Sequence, residues 1–294
     1  MGPRAVEVGD GRVLDVWVEG DAAGDVVMWH HGTPGSGLQY PPFVEEARLR
    51  GLRLVTYSRP GYGDSSRLEG RSVGDCAADV ARILDALEVE RFFTGGGSGG
   101  GPHALACAAL LPDRVLSAVS VAGVTPYGAP GTDFLAGMGR ENVEEFGAAL
   151  EGPEALVQWM DEHAAELVEA GSPDDLIAAM GDLVSEVDRA SLTGAFGAFL
   201  VEDEHIALRN GYWGWFDDDL AFTRDWGFDP GGIAIPVAVW QGRQDRFVPF
   251  AHGEWLAEHV PGARVHLYEE HGHLSLAIAS FGAILDDLLA SGPA

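Results

Sequence analysis

The chain contains no lysine, and all 18 of its basic residues are arginine. Schiff-base catalysis, a Ser–Lys dyad and a phosphate-binding loop of the Walker type all require a lysine amine, so these chemistries are excluded. Positive charge is scarce altogether, since 18 Arg stand against 46 Asp and Glu and the formal net charge is −28. A charge this negative argues against nucleic acid or an anionic membrane as a partner.

Cysteines and long apolar runs are also scarce. Cys76 and Cys107 are the two cysteines, and both lie in stretches with helical patterns. The first residues, MGPRAVEVGDGR, lack the apolar stretch of a signal peptide. We therefore interpret both cysteines as reduced, packed thiols and expect a cytoplasmic protein. No apolar run reads as long enough to span a bilayer.

What the chain does contain is an alternation of short apolar runs with helical patterns. Several runs are continuously apolar, which is typical of parallel strands covered on both faces. The alternation predicts an α/β fold with a mostly parallel, doubly wound sheet. The predicted strands are residues 14–19, 26–30, 52–57, 91–94, 115–121, 237–241 and 263–268. A capped helix is predicted over residues 72–89, and a buried one over residues 103–111.

Residues 125–229 break this alternation. They read as several helices without a clear strand, and Gly- and Pro-rich stretches bound them. They hold 23 Asp and Glu but 4 Arg, a charge that we interpret mainly as a solvated helical surface. We predict a helical cap inserted over the carboxyl ends of the strands, where α/β proteins bind ligands. The core then comprises residues 1–124 and 230–294.

The stretch TGGGSGGGPH, residues 94–103, fits two motifs. One is the dinucleotide motif G-x-G-x-x-G beginning at Gly95, but the next predicted strand offers no acid to hold a ribose. The other is G-x-S-x-G, which places Ser98 on a tight strand-to-helix turn and exposes its hydroxyl. The second motif predicts that Ser98 is a nucleophile, with the Gly99 N–H facing the charge that develops.

A serine nucleophile needs a general base and an acid that orients it. The loop after predicted strand 237–241 reads GRQDRFVP and offers Asp245. The loop after the last predicted strand reads EEHGHLS and offers His271 and His273. We favour His273 because it opens the final helix and Gly272 frees the turn before it.

The oxyanion that forms during acyl transfer needs a second N–H donor. The stretch VVMWHHGTPGSG, residues 26–37, ends a predicted strand in a tight loop whose N–H groups can point inward. We assign the second donor to Thr33, beside Gly99 as the first. His30 and His31 are interpreted as structural residues that brace this loop.

These segments resemble the α/β-hydrolase-fold serine hydrolases with a helical cap. The resemblance implies Ser98 as nucleophile, His273 as general base and Asp245 as its partner. It also implies acyl transfer from a carboxylic ester or similar small-molecule substrate through an acyl-enzyme, with no metal or organic cofactor. Dehalogenases and epoxide hydrolases of this fold use an aspartate nucleophile and are set aside. The resemblance covers the family's motifs in order: HGTPGS, SRPGYGDSS, GGGSGGGPHA, WQGRQDRFVP and HGHLS. Ser58 departs from the pattern, since relatives often carry Asp before Arg-Pro-Gly.

The substrate itself is less well defined. The stretch GYWGWF in the cap predicts that Trp213 and Trp215 contact the substrate. One alternative is an aminopeptidase of the proline iminopeptidase type, with Glu202, Asp203 and Glu204 binding an ammonium group. HGTPG instead of HGGPG argues against it, as does a glycine after the nucleophile. A second alternative is a lyase, oxygenase or ligand-binding protein of the same fold. The sequence leaves the oligomeric state open.

Overall fold

A computed structural model describes residues 2–292, so the predicted core boundaries at residues 1 and 294 lie outside the described part. Its eight strands form one sheet in the order β1-β2-β4-β3-β5-β6-β7-β8. Strands β1 and β2 are antiparallel to their neighbours, and the other pairs are parallel. The predicted fold class is confirmed. The strands are β1 (Arg4–Gly9), β2 (Arg12–Gly20), β3 (Asp25–His30), β4 (Leu52–Tyr57), β5 (Phe92–Gly97), β6 (Val115–Val121), β7 (Val237–Gly242) and β8 (Arg264–Tyr268).

Strand β1 is not among the strands predicted from the sequence. Only Val6 and Val8 of this strand are buried, and the residues around them are exposed. The strand lies at the antiparallel edge of the sheet, where Val6 faces Leu14 of β2. Two buried valines at a half-exposed edge make too short a pattern to predict a strand.

Five helices cover the two faces of the sheet. On one face, α1 (Pro41–Leu49) and α11 (His273–Ser291) bury apolar side chains against the strands. On the other face lie α2 (Cys76–Ala86), α3 (Gly100–Leu110) and α10 (Phe250–His259). The sheet is therefore doubly wound, as predicted.

The predicted start of α2 is wrong. The Asp75 carboxylate accepts hydrogen bonds from the Ser72 N–H at 2.7 Å and the Ser72 Oγ at 3.0 Å. Ser72 therefore belongs to a turn that precedes the helix, and α2 begins at Cys76. Cys76 and Cys107 are buried free thiols.

Residues 125–229, called the helical segment below, lie between β6 and β7 and contain no strand. Its helices are α4 (Arg140–Glu151), α5 (Pro153–Glu169), α6 (Pro173–Met180), α7 (Glu186–Ser191), α8 (Ala195–Leu208) and α9 (Trp213–Phe222). Helices α4, α5, α8 and α9 share an apolar cluster that includes Leu156, Met160 and Trp215, together with Tyr62 from outside the segment.

The acidic charge of the helical segment is only partly solvated. Seven of its carboxylates are buried: Glu145, Asp188, Asp203, Glu204, Asp217, Asp218 and Asp219. Asp218 joins α9 to the rest of the protein, since it binds Arg59 and Arg71 at 2.6 Å and accepts a hydrogen bond from the Tyr62 hydroxyl at 2.8 Å. The interpretation of this charge as a solvated surface is wrong for these seven residues.

Helix α11 also differs from expectation. By length and composition alone it could cross a membrane, with a mean hydropathy of 1.6, whereas the sequence analysis saw no run long enough. In the structure, Leu276, Phe281 and Leu285 of α11 are buried against the sheet. Its apolar face is part of the core between α11 and the sheet.

Candidate active site

The sharpest turn at the carboxyl edge of the sheet joins β5 to α3. Ser98 stands at this turn with φ of 55°, a conformation that costs free energy for a residue with a side chain. Its N–H donates to the Val121 carbonyl at 2.8 Å. A Cβ atom at Gly96 would overlap the Gly100 backbone, and one at Gly100 would overlap the His30 carbonyl. Glycine at these two positions therefore lets the backbone close tightly around Ser98.

Asp245 and His273 meet at the same edge of the sheet. Asp245 follows β7, and His273 is the first residue of α11, after β8. His273 Nδ1 lies 2.8 Å from Asp245 Oδ2. The other carboxylate oxygen of Asp245 accepts hydrogen bonds from the N–H groups of Phe247 at 2.9 Å and Val248 at 2.8 Å. Because the carboxylate is fixed on both sides, it orients the imidazole ring.

The environment shifts the pKa values of both groups. Burial raises the pKa of Asp245 above 3.8, against the opposing effect of His273. Burial by itself would lower the pKa of His273, but the charge and hydrogen bond of Asp245 raise it above 6.5, with a smaller contribution from the Asp188 charge. The protonated imidazole is therefore stabilised relative to a free histidine.

His271, the alternative base, does not line the cavity that contains Ser98. Its backbone carbonyl accepts a hydrogen bond from the Gln244 N–H at 2.9 Å, and its ring contacts Tyr268. Among the described residues, His273 and not His271 lines the cavity that contains Ser98.

Asp188, in the helical segment, holds the backbone around His273 in place. Its carboxylate accepts hydrogen bonds from the N–H groups of His273, Leu274 and Ser275, each at 2.9 Å. These N–H groups begin α11 and have no acceptor within the helix. A Cβ atom at Gly272 would overlap the Asp188 carboxylate, so the preceding residue is a glycine. Asp188 is not predicted from the sequence, because a contact between distant helices leaves no local pattern.

The two predicted oxyanion donors lie beside Ser98. A Cβ atom at Gly32 would lie 3.6 Å from the Ser98 Cβ, and one at Gly99 would overlap the Thr33 Oγ1. The Thr33 hydroxyl donates to Asp218 Oδ2 at 2.8 Å and accepts from Arg59 at 2.9 Å, which fixes the loop. Gly99 precedes α3, so its N–H has no acceptor within that helix.

His30 and His31 are buried and hydrogen-bonded away from Ser98, as expected of structural residues. The His30 ring lies 3.2 Å from Thr94 Oγ1 and 3.3 Å from the Tyr57 hydroxyl. His31 Nε2 accepts the Arg59 N–H at 3.1 Å. Burial lowers the pKa of both histidines well below 6.5, so both are neutral at pH 7.

A cavity of about 500 Å³ lies between the carboxyl edge of the sheet and the helical segment. Ser98, His273, Thr33 and Gly99 line it. Much of the remaining wall is aromatic: Trp29, Tyr40, Phe43, Phe146, Trp159, Phe196, Phe199, Trp215, Phe222, Phe247 and Phe281. An apolar cavity that contains a few converging polar groups is the usual form of a small-molecule site.

The family model of the alpha/beta hydrolase fold matches residues 25–278. The chain belongs to this family. A non-heme chloroperoxidase from Streptomyces lividans is 31% identical to this chain over 257 residues, which cover 85% of this chain and 86% of the relative. A 2-hydroxy-6-oxononadienedioate/2-hydroxy-6-oxononatrienedioate hydrolase from Cupriavidus pinatubonensis is 29% identical over 267 residues, 86% of this chain and 82% of the relative. A hydrolase structure from Pseudomonas aeruginosa PA01 has a TM-score of 0.72 and 19% identity, with 98% of each chain covered.

The structure separates the two tryptophans predicted to contact the substrate of the hydrolase. Trp215 lines the cavity, and its indole N–H donates to Glu145 Oε1 at 2.6 Å. Trp213 does not line it; its side chain is 38% exposed and packs on the Arg67 guanidinium. Two residues apart on a helix, these side chains point about 200° apart, so one turn cannot present both to the cavity. Of the two predicted contacts, Trp215 is therefore the one that lines the cavity.

The three acids predicted for an ammonium site, Glu202, Asp203 and Glu204, also differ in burial. Glu202 is exposed, whereas Asp203 and Glu204 are buried and line the cavity. Asp203 accepts hydrogen bonds from Ser36 Oγ at 2.5 Å and the Ser36 N–H at 3.2 Å. Within residues 2–292, no group of three His, Cys, Asp or Glu is arranged to hold a metal ion.

Proposed function

We propose that the hydrolase transfers the acyl group of a carboxylic ester, or of a similar small acyl substrate, to water through Ser98. The observation that carries this proposal is that His273, held by Asp245 at 2.8 Å, lines the same cavity as Ser98 on its strained turn. A nucleophile, a base and an orienting acid at one edge of an α/β sheet are the parts of a serine hydrolase.

The chemistry follows from these groups. His273 Nε2 removes the Ser98 Oγ proton as the oxygen attacks the substrate carbonyl. The N–H groups of Thr33 and Gly99 stabilise the tetrahedral oxyanion. His273 then donates its proton to the leaving alcohol, which leaves the acyl group on Ser98. His273 then removes a proton from water as the water attacks the acyl-enzyme, and it returns that proton to Ser98 Oγ as the bond to the acyl group breaks, which releases the acid and restores the free serine and the neutral base. The steps use side-chain and main-chain groups alone, so they require no cofactor.

We also propose that the helical segment is an inserted cap on the core formed by residues 1–124 and 230–294. In this arrangement the cap closes the cavity above Ser98 and supplies part of its aromatic wall, including Trp159 and Trp215. Burying the substrate there excludes bulk water and strengthens the electrostatic contacts of the site. The cap would then select substrates, whereas the core would supply the nucleophile and base.

A fluorophosphonate probe tests the proposal. We expect the probe to label Ser98 in the purified protein, as mapped by peptide mass spectrometry, and p-nitrophenyl esters to be hydrolysed. Ser98→Ala should abolish both. Ser36→Ala is the matched control, because Ser36 lines the same cavity away from the turn; it should still be labelled. Label on any other residue, or no label on a protein that hydrolyses esters, would contradict the assignment.

A further inference from the structure

The polar part of the largely apolar cavity wall is mainly acidic. The carboxylates that line it are Glu141, Glu144, Glu145, Glu166, Asp203, Glu204 and Asp219, against a single arginine, Arg140. Arg140 is exposed and pairs with Glu141 at 2.9 Å and with Glu144 at 3.9 Å. Arg140 is therefore paired at the surface. The buried carboxylates of the wall, Glu145, Asp203, Glu204 and Asp219, have no arginine beside them among the described lining residues.

Glu145 and Asp219 are the most unusual of these residues. Asp219 has no exposed surface, and apart from Glu145 no described residue forms a hydrogen bond with either of its carboxylate oxygens. Glu145 is 7% exposed and accepts one hydrogen bond, from the Trp215 indole at 2.6 Å. A buried carboxylate without a partner costs several kcal/mol. A cation bound at this part of the cavity wall would compensate the charges of both carboxylates.

In the absence of a ligand, a proton shared by the pair relieves part of this cost. Burial raises the pKa of Glu145 to about 7, against the opposing effects of Asp219 and Trp215. Burial also raises the pKa of Asp219 well above 3.8, and Glu145 raises it further. The other charged groups that act on the pair are His163 of α5, Asp218 of α9 and Arg71 of the core. Asp218 and Arg71 are paired with each other at 2.6 Å and are not available to neutralise it.

The surroundings of the pair suit an organic cation. Phe146 follows Glu145 directly, and Phe222 lies about one turn of α9 after Asp219; both line the cavity. The rings of Trp159 and Trp215 pack edge to face at 5.6 Å on the same wall. Aromatic faces attract ammonium groups, and carboxylates add charge-assisted hydrogen bonds.

The helix that carries Asp219 contacts the turn that carries the nucleophile. A Cβ atom at Gly99 would lie 3.0 Å from Phe222 Cζ, so the end of α9 touches the turn that carries Ser98. Asp219 lies about one helical turn, ~5 Å, before Phe222 on α9. A small substrate can therefore reach Ser98 with its carbonyl and the acid pair with a charged group.

We propose that Glu145 and Asp219 bind an ammonium group of the substrate, so that the hydrolase acts on acyl compounds that carry a primary amine or a similar organic cation. That the bound cation is part of a substrate rests on the proposed function, whereas the cation site itself does not depend on catalysis.

Binding to the wild-type protein tests the site without hydrolysis. The probes are 3-phenylpropylammonium and its neutral counterpart 3-phenylpropanol, measured by titration calorimetry at pH 7. We expect the ammonium to bind about tenfold or more tightly than the alcohol, the size expected of a charge-assisted hydrogen bond. Asp219→Asn and Glu145→Gln should each remove most of this difference and leave the affinity for the alcohol unchanged.

Glu166→Gln is the matched control, because Glu166 is an exposed carboxylate on the same cavity. It should leave the preference for the ammonium in place. If it removed as much of the preference as Asp219→Asn, the general field of the cavity and not the pair would be responsible, and the proposal would be wrong. Equal binding of the two probes to the wild type would also overturn it.

Proton release gives a second, independent readout. Because a bound cation favours the ionised pair, binding of the ammonium at pH 6 should displace the shared proton. The observed enthalpy should then differ between buffers of different ionisation enthalpy by an amount that corresponds to about one proton. Asp219→Asn should abolish this difference. Tight binding of the ammonium without proton release would contradict the role of the pair.

A kinetic comparison connects the site to the reaction. A phenylalanyl ester should be hydrolysed with a higher kcat/KM than the 3-phenylpropanoyl ester, which lacks the amine, and Asp219→Asn should cancel this advantage. Failure of the proposed function would appear differently: the ammonium would still bind, but neither ester would be turned over.

Discussion

The substitution Asp188→Asn tests how the helical segment, through Asp188, contributes to the position and the pKa of His273. The carboxylate accepts hydrogen bonds from three N–H groups of α11 and from the Ser185 hydroxyl at 2.8 Å. Asparagine has almost the same shape but only one acceptor oxygen, so its amide nitrogen faces donors that it cannot bind. Two charge-assisted hydrogen bonds are lost, each contributing about 1.5–3 kcal/mol, so the free energy of unfolding should fall by about 3 kcal/mol.

The same substitution should change the pH profile. His273 must be neutral to accept the Ser98 proton, so wild-type activity should rise with pH through the His273 pKa, which lies above 6.5. The Asp188 charge contributes to raising this pKa. Asp188→Asn should therefore move the rising limb to lower pH. Because the histidine is also held less firmly, kcat should fall about tenfold or more while KM changes little.

The assays are urea unfolding and the pH dependence of kcat with a p-nitrophenyl ester. Glu186→Gln is the matched control, since Glu186 is an exposed acid on the same helix, α7. This substitution removes one negative charge from α7 and should leave the free energy of unfolding, kcat and the pH dependence of kcat unchanged. If Asp188→Asn kept the wild-type stability and the wild-type pH dependence of kcat, the reasoning would be refuted. If Glu186→Gln shifted the pH dependence by the same amount, the shift would be due to net charge.

Three further predictions concern the site. Asp245→Asn should lower kcat by about 10⁴-fold with little change in KM, because the imidazole loses its orienting carboxylate; steady-state kinetics measure this, and a loss confined to KM would contradict it. His273→Ala should abolish ester hydrolysis, whereas His271→Ala should keep most of it together with its pH limb; the reverse pattern would move the base to His271. Trp215→Ala should change the preference among acyl chain lengths in a series of p-nitrophenyl esters, whereas Trp213→Ala should not, and equal effects would place both side chains at the substrate.

The parts of the site that the sequence predicts share one property: each follows a strand. Ser98, Asp245 and His273 lie one, three and five residues after β5, β7 and β8, and the carboxyl ends of parallel strands meet at one edge of the sheet. A local pattern therefore gives their approximate positions in space. The glycines around Ser98 add a steric requirement that is also local.

The parts that the sequence does not predict depend on how helices dock. Asp188, Glu145 and Asp219 lie on helices that are acidic on several faces, and nothing local distinguishes an acid turned inward from one turned to solvent. The prediction for Trp213 has the same origin, because the aromatic residues of the stretch GYWGWF do not indicate which side of α9 faces the cavity.

Asp218 has a consequence for protein engineering. This one carboxylate ties α9 to Arg59, Arg71, Tyr62 and the hydroxyl of Thr33, all of them outside the helical segment. A chimera that received residues 125–229 from a relative without an acid at this position would leave Arg59, which is 1% exposed, as an uncompensated buried charge. Such a transplant would disturb the loop beside Ser98 even if every residue of that loop were retained. Specificity grafts on this scaffold should therefore keep α9 and exchange α4 to α6, whose contacts with the core involve no comparable buried ion pair among the described residues.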